Sequence, residues 1–239
     1  MVVAADRIAL LAGGSGLTGG HLLSLLLADE RYARIHALVR KPGLSPHSRL
    51  QEHIFDYDHP AALSAIDDVF CCLGTTIRKA GSQAAFRKVD YEYVVSLAHL
   101  ARKAGAKRFL VISSLGASVR SPIFYSRVKG EMEEALRDVG FDELHVFQPS
   151  LLLGNRHESR PGERIGIAAT CGIAPFMLGP MRKYRPIDAQ IVARAMLTAA
   201  WINHRGNHVY TSDRIVELAG QPGVSSPEPN SDSKLYRGR

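Results

Sequence analysis

The chain has 239 residues, and its 46% hydrophobic and 22% charged residues are ordinary for a soluble globular protein. It shows no apolar run long enough to cross a bilayer and no signal peptide pattern. The net charge of +7 leaves nucleic acid open as a partner, but the basic residues are scattered and no nucleic-acid motif is present, so we expect none.

The cysteines and histidines predict neither disulfides nor a metal site. Three cysteines without a Cys-x-x-Cys pair fit a reducing cytoplasm, where we expect the protein to be located. Cys71 and Cys72 are adjacent, so on a strand they face opposite sides as small core residues. His204 and His208 are four apart, but a glycine and an asparagine between them predict a turn.

The first predicted elements are a buried strand over residues 8–12, a glycine-rich turn, and a Leu-rich helix from about 21 to 30. Gly14-x-Gly16-x-x-Gly19 fits the dinucleotide fingerprint, and Gly13-x-x-Gly16-x-x-Gly19 fits the spacing of short-chain dehydrogenases. A strand, a glycine turn and a helix place backbone N–H groups against a pyrophosphate. The alternative is an ordinary strand–helix turn of another α/β protein.

The second predicted strand, residues 35–39, ends in Arg40 and Lys41. In dinucleotide-binding folds an acidic residue at this point holds the ribose 2′-hydroxyl of NAD, whereas a basic residue accommodates the 2′-phosphate of NADP. The acid is absent here, so the sequence favours NADP(H) over NAD. A basic pair on the surface is the alternative.

Two further strands are predicted before the helix at residues 83–104. The third covers residues 53–57 and carries Asp56 and Tyr57 at its carboxyl end, near the expected adenine position. The fourth covers residues 69–76, and its Gly-Thr-Thr end at 74–76 permits close approach of backbone to a cofactor.

The next segments continue the alternation of helices and strands. Apolar spacing predicts helices and buried strands in turn, at residues 83–104 (helix), 109–112 (strand), 121–139 (helix) and 144–148 (strand). This order predicts an α/β, Rossmann-type, doubly wound and mostly parallel sheet.

The pattern loosens after residue 150. A polar, Arg-rich stretch at 155–163 and an apolar stretch at 165–178 suit a small C-terminal cap over the carboxyl edge of the sheet. Three short elements follow, predicted at residues 188–201 (helix), 208–210 (strand) and 213–219 (helix).

The domain organisation follows from this pattern. We predict one domain over residues 1–220, with a core at 5–150 and a small substrate-facing region at 151–220. Residues 221–239 are polar without a core pattern, which predicts a disordered tail.

Three residues form a candidate catalytic group. Tyr125 and Lys129 are four apart on a predicted helix, so their side chains share one face. An isolated tyrosine titrates near pH 10, and a neighbouring ammonium favours the phenolate that general acid–base catalysis needs. Ser114, after the fifth strand, is placed to hydrogen-bond a substrate carbonyl. A Tyr-x-x-x-Lys sequence also arises by chance, which is the alternative.

These motifs together identify a family resemblance. GGSGLTGG, the basic end of strand 2, SS-x-G-A and Y-x-x-x-K resemble the atypical short-chain dehydrogenase/reductase superfamily. More narrowly, CCLGTTIRKAGS, FRKVDYEYV, YSRVKGEMEEAL and NRHESRPGE resemble the family of HIV Tat-interacting proteins, over roughly residues 7–200. The resemblance implies a Rossmann core that binds NADPH and lacks a large substrate domain. The tail after Gly220 has no counterpart in that family.

The resemblance also implies a set of site residues. The implied cofactor contacts comprise the pyrophosphate-binding turn, the basic pair, the segment after strand 4 and the segment beside the nicotinamide: Gly13, Ser15, Gly16, Leu17, Thr18, Gly19, Arg40, Lys41, Leu73, Gly74, Thr75, Pro149, Ser150 and Leu151. Ser114, Tyr125 and Lys129 match the catalytic triad, and the last two would also contact the cofactor.

Three functions remain open on the sequence. The first is an NADP(H)-dependent oxidoreductase that acts on an unknown small carbonyl or alcohol. The second is an NADPH-sensing binding protein with little or no turnover, and the third is a sugar-nucleotide epimerase or dehydratase, which usually needs a longer substrate domain. A protein partner, a homodimer and a monomer are equally compatible with the sequence.

Overall fold

The computed structural model describes residues 7–154, 177–202 and 204–221. The predicted Arg-rich stretch at 155–163 and most of the predicted apolar stretch at 165–178 lie outside the described residues. The same is true of residues 222–239 of the predicted tail.

Nine strands are present in the described residues. Their bounds are β1 Arg7–Ala12, β2 Tyr32–Val39, β3 Leu50–Ile54, β4 Asp68–Cys71, β5 Arg108–Ile112, β6 Glu143–Gln148, β7 Leu152–Leu153, β8 Ile187–Asp188 and β9 Gly206–Thr211. Seven of them form one sheet in the order β3-β2-β1-β4-β5-β6-β9, with all pairs parallel, while β7 and β8 form a separate parallel pair. The predicted Rossmann-type fold is confirmed. Its strand order reverses between β1 and β4, where open α/β sheets bind ligands.

Helices connect the strands. The α-helices of the described residues are α1 Leu17–Ala28, α2 Ile77–Ala80, α3 Gln83–Arg87, α4 Tyr93–Lys103, α5 Phe124–Asp138, α6 Ala189–Ala199 and α7 Ser212–Ala219. A π-helical turn, Lys88–Glu92, joins α3 to α4, and a 3₁₀ helix covers Gly179–Tyr184.

The sheet separates two hydrophobic clusters because successive strand residues point to opposite faces. Leu11 and Phe70 pack with α1 and α6 on one face, whereas Leu10 and Val69 pack with α4 and α5 on the other. Cys71 and Cys72 follow the same alternation: the first is buried in the α4–α5 cluster and the second packs against the α1–α6 cluster. The prediction that they face opposite sides is confirmed.

The third strand was predicted at residues 53–57 and lies instead at Leu50–Ile54. It pairs with β2 from Ile35 opposite Leu50 to Val39 opposite Ile54. As an edge strand it leaves most of its side chains partly or fully exposed, so backbone pairing and not an apolar pattern defines it. The buried Phe55 follows the strand and donates its N–H to the Val39 carbonyl at 2.9 Å.

The predicted helix at 83–104 is interrupted by the π turn, and α2 was missed. The Thr76 hydroxyl caps α2 by accepting the Lys79 N–H, and Gly81 ends it in the left-handed region at φ +87°. The remaining helices begin or end within a few residues of their predicted bounds; α1 begins at Leu17 because Gly16 is already its N-cap.

A buried charge cluster closes the amino edge of the sheet. The Asp68 carboxylate at the start of β4 accepts hydrogen bonds from Tyr32 (2.7 Å), Arg108 (3.1 Å) and Arg7 (3.4 Å). Arg108 also donates to Glu143 of β6 at 2.9 Å. Burial raises the pKa of Asp68, while Tyr32 and the two guanidinium groups favour its charged form. The cluster therefore ties five neighbouring strands together at the edge opposite the strands' carboxyl ends.

His145 is buried where the last strand joins the sheet. Its Nδ1 lies 3.0 Å from the hydroxyl of Tyr210, and its ring stacks on His208 with centroids 5.2 Å apart. Burial and the nearby His208 lower the pKa of His145 to about 4. The imidazole is therefore neutral in the folded protein near pH 7.

We predict that acid weakens the fold through His145. Folding lowers the pKa of His145 from 6.5 to about 4. The contribution of the neutral imidazole to the free energy of unfolding is therefore complete above pH 6.5. It is lost as the pH falls toward 4, by about 3 kcal/mol in total. Urea unfolding at several pH values should show a smaller fall in unfolding free energy for His145→Asn than for the wild type. His99→Asn, at an exposed position, should keep the wild-type fall. An equal fall in His145→Asn would contradict this assignment.

Candidate cofactor and catalytic site

The turn after β1 and the start of α1 have no room for a side chain at two glycines. A Cβ on Gly13, whose φ is +84°, would lie 2.5 Å from the Cys72 carbonyl oxygen. A Cβ on Gly19 would lie only 2.0 Å from the Gly13 carbonyl oxygen. The Gly16 N–H donates to that same oxygen at 2.9 Å and makes the turn tight. Close packing of backbone on backbone therefore explains the glycines at 13 and 19.

The start of α1 presents backbone donors at this turn. Gly16 is the N-cap, and no side chain among the described residues caps this end of the helix. Unpaired N–H groups at a helix start bind anions, as a pyrophosphate requires. Ser15 is exposed here and Thr18 is buried. Leu17 is half-buried, and a Cβ at Gly154 would lie 2.8 Å from its side chain.

Arg40 and Lys41 come directly after β2, and both are exposed. In the part of the chain that the structure describes, neither forms an ion pair or a hydrogen bond through its side chain. Burial raises the pKa of the Tyr57 phenol, and the positive charge of Arg40 opposes this rise. The two cations thus stand at the position where a 2′-phosphate is expected.

Asp56 and Tyr57 differ in their surroundings. Asp56 is exposed, and its carboxylate accepts the Asp58 N–H at 2.9 Å in a local turn. The ring of Tyr57 stacks on Tyr93 at 5.1 Å and meets Phe55 edge-on at 4.9 Å. Both residues follow the end of β3 instead of lying within it, because the strand ends three residues earlier than predicted. An adenine contact here stays a prediction.

The segment after β4 lies against the glycine turn. The Leu73 nitrogen would be 3.1 Å from a Cβ at Gly13. Gly74 is exposed, and Thr75 donates its backbone N–H to the Asp90 carboxylate at 2.8 Å. Leu73, Gly74 and Thr75 are thus held beside the predicted pyrophosphate position.

Tyr125 and Lys129 lie on α5, as predicted. Tyr125 is half-buried, and its ring packs on Phe86 with centroids 5.2 Å apart. The Lys129 ammonium is buried and lies 2.7 Å from a carboxylate oxygen of Asp90. Burial lowers the pKa of Lys129, but Asp90 and Tyr125 outweigh it and hold that pKa above its ordinary value. The structure therefore brings a charged lysine and the tyrosine onto one helix face.

The two serines after β5 differ in role. Ser113 is buried and donates its hydroxyl to Glu133, which also accepts two bonds from Gln148 at 2.9 and 3.0 Å. Burial raises the pKa of Glu133. Ser114 is half-buried, and among the described residues its hydroxyl makes one long, 3.5 Å contact, with the Leu115 carbonyl. Ser113 is therefore engaged in holding Glu133, and a substrate contact of Ser114 stays a prediction.

The segment Pro149–Leu151 lies beside the Ser114 loop. The Pro149 carbonyl accepts the Leu115 N–H at 3.0 Å. The Ser150 hydroxyl donates to the Arg185 carbonyl, and its N–H donates to the Ser212 hydroxyl at 2.9 Å. The Ser150 side chain thus joins chain segments, while the Leu151 side chain is exposed.

Sequence reasoning missed Asp90. Its carboxylate is buried and forms an ion pair with Lys129. The signal was present, because Asp90 takes a position in the stripe Phe86, Asp90, Val94 and Leu97, whose other members are apolar and buried. A carboxylate in such a stripe indicates a buried charged partner.

The fold and this geometry define a class of protein. A parallel sheet of Rossmann order, a glycine turn at a helix start, and a Tyr-x-x-x-Lys pair are features of dinucleotide-binding short-chain dehydrogenase/reductases. The sequence pattern of a family described as NAD(P)H-binding matches residues 13–160. The chain belongs to this NAD(P)H-binding family, within the atypical short-chain dehydrogenase/reductases.

Two curated relatives confirm the resemblance. Protein HTATIP2 of Rattus norvegicus is 36% identical over 165 residues, covering 66% of this chain and 68% of the relative. Protein fmp52, mitochondrial, of Aspergillus clavatus is 32% identical over 220 residues, covering 88% and 94%. Because that name places the fungal relative in mitochondria, the cytoplasmic location stays a prediction. Within the three described ranges, no helix is long and apolar enough to cross a membrane.

Solved structures support the fold. The human epimerase family protein SDR39U1 with NADPH matches with a TM-score of 0.59 and 18% identity, covering 85% of this chain and 73% of that one. Similar solved structures include complexes with NAD as well as with NADPH. At this identity the likeness concerns the fold alone.

We predict that Gly19→Ala disrupts cofactor binding. The added Cβ would collide with the Gly13 carbonyl and force the turn apart, so NADPH affinity should fall at least about tenfold. Fluorescence titration with NADPH measures this. Gly20→Ala is the matched control, since its Cβ would lie 3.7 Å from the nearest oxygen, an ordinary contact. Equal affinities in the two variants would refute the role of backbone packing in this turn.

Proposed function

We propose that this protein is an NADP(H)-dependent oxidoreductase that interconverts a small carbonyl compound and its alcohol. The observation that carries the proposal is the charged, buried Lys129 on the same helix face as Tyr125. A lysine kept in its charged form beside a tyrosine suits proton transfer to a carbonyl oxygen. Both residues belong to a fold whose glycine turn suits a pyrophosphate.

The cofactor preference rests on the end of β2. Arg40 and Lys41 are exposed there and no acidic residue replaces them, so they can bind the 2′-phosphate through two positive charges. The Gly13–Gly19 turn and the α1 start would hold the pyrophosphate. Leu73, Gly74, Thr75 and Pro149 would line the rest of the cofactor.

The chemistry assigns one task to each catalytic residue. When bound, NADPH supplies the hydride that is added to the carbonyl carbon. Tyr125 donates a proton to the carbonyl oxygen, Ser114 holds that oxygen through its hydroxyl, and Lys129 stabilises the phenolate that Tyr125 becomes. One hydride and one proton thus convert the carbonyl to the alcohol, and Tyr125 regains its proton from solvent.

We predict that the basic pair discriminates NADPH from NADH. In a variant with Arg40→Ala and Lys41→Ala, two phosphate-binding charges are lost, and NADPH affinity should fall at least about tenfold. NADH lacks the 2′-phosphate, so its affinity should change less than about threefold. Titration of both nucleotides by fluorescence measures the ratio. A loss of affinity that is the same for the two nucleotides would exclude a 2′-phosphate contact.

We predict that Tyr125→Phe keeps NADPH affinity but reduces turnover at least about a hundredfold, because the proton donor is lost. The assay follows NADPH oxidation at 340 nm with aldehyde and ketone probes, including 4-nitrobenzaldehyde and 9,10-phenanthrenequinone. Unchanged turnover would remove Tyr125 from the mechanism. If the wild type binds NADPH tightly but reduces no probe, the oxidoreductase proposal fails, and a sensing role for NADPH is favoured.

A further inference from the structure

Asp90 connects two parts of the candidate site. One carboxylate oxygen lies 2.7 Å from the Lys129 ammonium, and the other accepts the Thr75 backbone N–H at 2.8 Å. Asp90 is 1% exposed and Lys129 is 3% exposed, so both charges are removed from solvent. A Cβ at Gly74 would lie 3.4 Å from the Asp90 oxygen that faces Lys129, close to the limit of ordinary contact.

The π turn explains how the chain places this carboxylate. The segment formed by α3 and the turn contacts α5 repeatedly: Phe86 packs on Tyr125, Arg87 pairs with Glu131, and Asp90 pairs with Lys129. π turns occur frequently at functional sites. The segment therefore contacts both proposed catalytic side chains of α5.

In the part of the chain that the structure describes, the titratable groups that face Lys129 come from three elements. They are Asp90 of the π turn, Tyr125 and Glu133 of α5, and Cys71 of β4. Asp90 is the carboxylate within ion-pair distance of the ammonium. The ammonium has three N–H donors, so pairing with Asp90 leaves two for a ribose hydroxyl and Tyr125.

We propose that Asp90 is a positioning residue of the cofactor site, which holds Lys129 charged and fixes it relative to the backbone at Thr75. The proposal rests on the proposed function, because Lys129 and Thr75 are assigned there to the cofactor and its chemistry. A buried ion pair is weak evidence of a stabilising role, since apolar residues of similar volume often stabilise a fold as well. Asp90 contacts both Lys129 and the Thr75 backbone of the proposed cofactor-lining segment, and this pair of contacts indicates a role in the site.

Asp90→Asn separates charge from shape. The amide oxygen can still accept the Thr75 N–H, but the negative charge beside Lys129 is gone. Burial then dominates, so Lys129 should lose its proton at a pH at least one unit lower than in the wild type. NADPH affinity, measured by fluorescence between about pH 6 and 10, should begin to weaken at a correspondingly lower pH.

The titration of Lys129 is measured directly by NMR on protein labelled with [ε-¹³C]lysine, its signal assigned by loss in Lys129→Met. Glu217→Gln is the matched control, since Glu217 pairs with Arg214 at 2.8 Å on the surface; it should leave both profiles unchanged. If Asp90→Asn does not fold, the wild type decides: Lys129 should remain protonated at about pH 10, and deprotonation below that overturns the proposal.

The two proposals fail in different ways. A wild type that does not bind NADPH refutes the proposed function and with it the use of Lys129. If the wild type binds NADPH but Asp90→Asn changes neither the titration of Lys129 nor the pH dependence of NADPH affinity, only the role of Asp90 is refuted. If Asp90→Asn loses the Lys129 proton and NADPH affinity at a lower pH than the wild type does, both proposals are supported.

Discussion

The close approach of three backbone segments is the constraint on which the site depends. The end of β1, the start of α1 and the segment after β4 meet at Gly13, Gly19 and the Cys72 carbonyl, and a Cβ added at either glycine would lie 2.0–2.5 Å from a carbonyl oxygen. The absence of side chains at the two glycines lets α1 begin directly at the carboxyl edge of the sheet. The anion-binding end of a helix is thereby placed where the strand order reverses.

Helix α5, which carries the proposed catalytic residues Tyr125 and Lys129, is held from two directions. On one side, a Cβ at Gly130 would lie 2.3 Å from the Ser118 backbone, so α5 and that loop pack without a side chain between them. On the other side, the segment of α3 and the π turn contacts Tyr125 and Lys129. The helix that carries the proposed proton donor thus has little freedom to shift relative to the glycine turn.

Structural features that depend on local sequence patterns were predicted from the sequence. Buried strands are continuous apolar runs, and the glycine turn and the Tyr125–Lys129 spacing are short motifs, so the parallel fold and the shared helix face were predicted. The third strand was placed wrongly because, at the sheet edge, backbone pairing and not side-chain burial defines it. Asp90 and Glu133 were missed because their partners are distant in sequence, and helical spacing alone does not predict a π turn. Cofactor contacts stay predictions.

The placement of the buried charges has a consequence for how this fold can change. The Asp68 cluster joins five strands at the amino edge, whereas the glycine turn, Lys129 and Ser114 lie toward the carboxyl edge. Residues that secure the architecture and the candidate ligand-binding residues are thus separated by the length of the strands. Substitutions at the carboxyl rim of the sheet can therefore change the candidate site while the Asp68 cluster at the other rim preserves the register of the strands.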